Sequence, residues 1–70
     1  MIPLTLAEQG LDFVILKIRG NNEAKQFLES LGFVEGSKVA VISKAGGNVI
    51  VRIKDSRVAI GQEMASKIMV

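Results

Sequence analysis

No cysteine, histidine, tryptophan or tyrosine occurs in this chain of 70 residues, and it has a single proline. Without cysteine there is no disulfide to staple the fold, and without Cys or His a zinc site lacks its usual ligands. Any metal would have to rest on carboxylates and backbone oxygens. A histidine base and a cysteine nucleophile are excluded as catalysts. Charge of one sign is also scarce: nine Lys and Arg against seven Asp and Glu leave +2. That is a weak footprint for a nucleic-acid domain, which carries a basic stripe. Apolar runs such as Phe13–Leu16 fall far below the ~20 residues that cross a bilayer. The start, Met1-Ile2-Pro3-Leu4, lacks the basic region of a signal peptide. The expectation is a cytoplasmic protein without membrane insertion, and the missing cysteines agree with a reducing compartment.

What the chain does have is glycine punctuation and short apolar segments. Its length suits one domain, residues 1–70, which would bury only ~60% of its unfolded surface. Leu11 to Arg19 is rich in β-formers and ends at Gly20, so it reads as a strand. Phe13–Leu16 within it is apolar on both faces, which implies burial on both sides or a bulge. Ala24, Phe27, Leu28 and Leu31 then recur at helical spacing, predicting a helix over Asn22–Leu31. Asn21 or Asn22 can cap its start, and Gly32 suits its left-handed end. Lys38–Lys44 and Val49–Lys54 alternate around Gly46-Gly47 and predict a hairpin. Arg57–Ile60 reads as a strand, Gly61–Ser66 as a helical turn with Met64 and Ala65 inward, and Lys67–Val70 as a last strand. About five strands with one α-helix after the first give a mainly β, partly open small barrel.

The chemistry the residues can carry is limited. The serines have no His or Cys partner and no G-x-S-x-G context, and the phosphate-loop pattern is missing. The carboxylates are dispersed, with no D-x-D loop. No enzyme, cofactor or metal site is expected. The aromatics are Phe13, Phe27 and Phe33; the first two read as core, leaving Phe33 alone as a stacking platform, too little for nucleic-acid binding.

The hairpin's second face holds the candidate site. With Val39, Val41, Val49, Val51 and Ile53 in the barrel, the residues Lys38, Ala40, Ile42, Lys44, Ile50, Arg52 and Lys54 point outward. One reading has a chain terminus covering Ile42 and Ile50. The other is a protein-docking patch, an apolar centre with a cationic rim suited to an acidic partner, with Ala40, Ile42, Ile50, Arg52 and Lys54 as contacts. An exposed β-edge leaves room for weak self-association.

The run from Leu28 through Gly32 and Gly36 to Val39 resembles the L-x-x-L-G-[hydrophobic]-x-x-G-x-x-V signature of the ferrous-iron transport protein A family, FeoA. Leu4-Thr5-Leu6, Ile18-Arg19-Gly20, Gly46-Gly47 with Val49 and Val51, and Val58-Ala59-Ile60 with Ala65, Ile68 and Val70 follow in register. The chain departs from the pattern at Glu35, where the family often has proline, and in its short Lys44–Asn48 loop. The resemblance implies an SH3-like barrel and a non-enzymatic accessory role in ferrous-iron uptake. The partner it implies is the membrane ferrous-iron transporter B protein, through its cytosolic G-protein domain. The alternatives are a domain related to metal-dependent transcriptional repressors and a small nucleic-acid-binding barrel.

Overall fold

In the computed structural model, which describes residues 1–70, two small antiparallel sheets wrap one apolar core. A 3-10 turn (Leu4–Leu6) opens the chain, followed by β1 (Asp12–Val14), β2 (Lys17–Ile18) and helix α1 (Asn22–Ser30). Then come β3 (Lys38–Ala45), β4 (Asn48–Ile53), β5 (Ser56–Gly61), a one-turn helix α2 (Gln62–Ala65) and β6 (Ile68–Met69). One sheet has the order β1-β3-β4-β5; the other pairs β2 with β6.

The segment expected as one strand, Leu11–Arg19, is two. Ile15 gives its N–H to the Ser37 carbonyl and accepts from the Gly36 N–H; Leu16 then donates to Met69. The chain thus leaves the large sheet at Ile15 and enters the small one at Leu16. Its apolar run is buried on one side only. Ile15 is buried and Phe13 half-buried, while Val14 and Leu16 are exposed. The period of two is intact, with apolar residues on both faces.

Helix α1 starts where Asn21 accepts a hydrogen bond from the Ala24 N–H at 2.9 Å, satisfying an orphan donor of the first turn. It ends in a Schellman motif: Gly32 (φ 104°) donates to Glu29, and Phe33 donates to Leu28. This geometry turns Phe33 inward beside Leu28, and both are fully buried. The aromatic assignment from sequence is therefore corrected. Phe33 is core, whereas Phe27 is 47% exposed. Phe27 and Leu28 lie about 100° apart on the helix, so a short helix can bury only one of them fully.

The β3–β4 hairpin forms as its alternation predicts. Gly46 and Gly47 have φ of 55° and 82°, the left-handed pair that a two-residue turn needs. Val39, Val41, Val49, Val51 and Ile53 are all buried and belong to one core cluster with Leu4, Ile15, Leu28, Phe33 and Ile68. Ala65 joins them, and Met64 is half-buried. The two chain ends close the barrel together: Ile2 and Val70 exchange both backbone hydrogen bonds, at 2.7 and 2.8 Å.

Candidate docking face

The outer face of the large sheet is organised in cross-strand rows. One row runs Asp12, Ala40, Arg52 and Arg57 across β1, β3, β4 and β5. The next contains Ile50 and Ala59 on β4 and β5. On β3 the register slips by one residue between Val41 and Ser43, so that Ile42 and Ser43 together face Ile50. This is a β-bulge.

The bulge decides which residues reach the face. Beyond it the parity of β3 reverses, and Lys44 pairs with Val49, a core-side residue. Lys44, expected outward, instead turns to the barrel end, where its Nζ donates to the Thr5 carbonyl at 2.6 Å. Nothing in the amino-acid pattern marks the extra residue, because Ile42 and Ser43 both suit an outer position.

Ala40 lies on the expected face but is only 1% exposed. Its neighbours in the row, Asp12 and Arg52, join over it in an ion pair of 2.7 Å. Ala40 is thus the floor of the face rather than a contact. Ile42 and Ile50 are half-buried, and Arg52 and Lys54 are exposed. Lys54 stands in the β4–β5 turn with φ 55°. Three of the five expected residues, Ile42, Ile50 and Arg52, therefore share an accessible surface, whereas the Lys54 stem lies towards Gly32 at the end of α1.

Two shallow clefts lie elsewhere. One, about 360 Å³, is lined by Ile18, Lys25, Glu29, Phe33, Val34 and Glu35. The other, about 410 Å³, separates α1 from α2, with Phe27 and Met64 on its walls. The exposed Phe27 is a surface feature that the helical spacing concealed. Its signal was the Gly32-Phe33 pair, which marks Phe33 as the residue the Schellman motif buries. No cluster of three or more carboxylates is placed to share a metal ion, and no helix is long and apolar enough to cross a membrane.

The FeoA domain family model matches residues 2–70. The chain belongs to the FeoA family. A protein of Methanocaldococcus jannaschii, provisionally named Fe(2+) transport protein A, is 43% identical over 100% of this chain and 85% of its own length. Among solved structures, an iron uptake regulatory protein (FeoA) superposes with a TM-score of 0.86 at 28% identity, covering 96% of this chain and 89% of that one. The zinc complex of Stenotrophomonas maltophilia FeoA, described as an SH3 domain protein, has a TM-score of 0.84 at 21% identity, covering 99% and 88%. The SH3-like fold also matches 38% of a manganese-dependent transcriptional repressor, with a TM-score of 0.85 at 20% identity over 94% of this chain. In this FeoA-family chain, then, the partly open barrel expected from the residue pattern is the family's own fold.

Proposed function

We propose that this FeoA-family chain is a non-enzymatic accessory protein of ferrous-iron uptake. In this reading it is a single domain over residues 1–70 that works in the cytoplasm. There it binds the cytosolic G-protein domain of the membrane ferrous-iron transporter B protein and is held at the inner membrane face by that contact. The observation that carries the proposal is the outer face itself. Ile42 and Ile50 stay half-exposed in the middle of the large sheet, beside the exposed Arg52, on a chain whose family is that of ferrous-iron transport protein A. An accessory protein shifts its partner's equilibrium only by binding one state of it better. A face of this composition gives affinity through its apolar centre and orientation through its cations.

The test is an amide-resolved NMR titration with the transporter's G-protein domain, with and without guanine nucleotide. Saturable shifts centred on Ile42, Ile50 and Arg52 are expected. Shifts confined to the α1–α2 cleft would discard this face, and no shift under either condition would discard the G-protein domain as partner. A parallel ferrous-iron titration without the partner is expected to give no saturable shift.

The repressor-like reading has the fold match as its support. It requires a helix-turn-helix to enter DNA, and the four-residue α2 is too short to serve as a recognition helix.

A further inference from the structure

The free edge of β5 is the most open feature of the large sheet. β5 is a terminal strand of that sheet, and no turn or loop backbone group bonds to any residue from Ser56 to Ile60. The β4–β5 connection is the two-residue turn Lys54-Asp55, closed by the pair Ile53 and Ser56. The closing pair of such a hairpin exchanges both hydrogen bonds, and the pairs then alternate. Ser56, Val58 and Ile60 therefore bond inward to β4, while Arg57 and Ala59 point their N–H and C=O groups outward.

The charge along this edge is unbalanced. Arg57 stands directly opposite Arg52, and like charges in that position repel. The acid of that row, Asp12, is already held by Arg52 on the far side. Arg57 has no ion-pair partner, and β5 carries no carboxylate. A second copy adding its own β5 would bring another arginine and no acid from that strand. The other terminal strand, β1, is only three residues long, and its Asp12 is already paired.

We propose that the β5 edge accepts an extended acidic segment of a partner protein as a fifth strand of the large sheet. The rows give its preference: a carboxylate beside Arg57 and an apolar side chain two residues away beside Ala59, continuing the apolar centre made by Ile42 and Ile50. Backbone hydrogen bonds supply the affinity, and alternate side chains the selectivity. This deepens the docking reading above by giving the partner contact a backbone mode, and it rests on that reading for the partner's identity.

The test uses a probe in place of the transporter. Isotope-labelled protein is titrated with a short capped peptide alternating glutamate and valine, and with a lysine–valine peptide of the same length. Saturable shifts at the Arg57 and Ala59 amides are expected with the first peptide only. Ala59→Pro removes an outward N–H and no β4 bond, and proline is tolerated on edge strands. It should lower peptide affinity about tenfold or more, while Ala59→Thr, which keeps the N–H, should not. Arg57→Glu needs no change of backbone and should exchange the peptide preference. The proposal is overturned if the glutamate–valine peptide leaves Arg57 and Ala59 unmoved. It is equally overturned if Arg57→Glu keeps the original preference, or if sedimentation shows that β5 pairs with a second copy. Failure here leaves the titration with the G-protein domain standing, and failure there leaves the peptide result standing.

Discussion

Asp12 and Arg52 reach across Ala40 from the two flanking strands and meet at 2.7 Å, roofing a methyl group that would otherwise face solvent. The pair is about half exposed, so its own contribution is small. Asp12→Asn should cost less than about 1 kcal/mol. Ala40→Leu must part the pair and overfill the row, and should cost about 1–3 kcal/mol. Urea titrations of the two variants check the order; equal losses would mean that Ala40 is not confined.

The two phenylalanines at the helix end should behave in opposite ways. Phe33→Ala empties a fully buried site and should cost about 3–5 kcal/mol. Phe27→Ser touches a side chain that is 47% exposed, and should stay within about 1 kcal/mol. Thermal melts decide it: a large loss from Phe27→Ser would place that ring in the core.

How much of this was legible beforehand follows from these residues. The hairpin's buried valines were readable because a two-residue period needs no knowledge of neighbours. The helix and its Gly32 end were readable for the same local reason. Ala40 was not, since its cover comes from Asp12, a residue that only strand pairing brings alongside. Lys44 was misassigned because a bulge changes parity without changing composition. The split of Leu11–Arg19 was hidden because it depends on Ser37 and Met69, partners distant in sequence.

Two glycines separate strain from crowding. At Gly46 (φ 55°) an added Cβ meets nothing within 4 Å, so Gly46→Ala should cost only the left-handed conformation, about 1–2 kcal/mol. At Gly20 (φ 108°) the Cβ would stand 3.1 Å from the Lys67 Cδ and 3.3 Å from the Ala24 Cβ. Gly20→Ala should therefore be the more damaging, at about 2–3 kcal/mol. Chemical denaturation of both variants should give that order.

For the docking face, Ile42→Asp combined with Ile50→Asp should abolish binding of the transporter's G-protein domain while the barrel stays folded. Both residues are half-buried, so each change should cost about 1 kcal/mol. Calorimetry alongside circular dichroism reads the two effects separately. Unchanged affinity in the double variant would remove these isoleucines from the interface.

The paired ends, Ile2 with Val70 and Pro3 with Met69, give the barrel a mechanical direction. Antiparallel strands that meet at their outer tips are loaded one hydrogen bond at a time when the tips are pulled apart, the motion of a zipper rather than a shear. Tension between residues 2 and 70 would release the small sheet in sequence, β6 first, and expose the Leu4 side of the core before the large sheet bears any force.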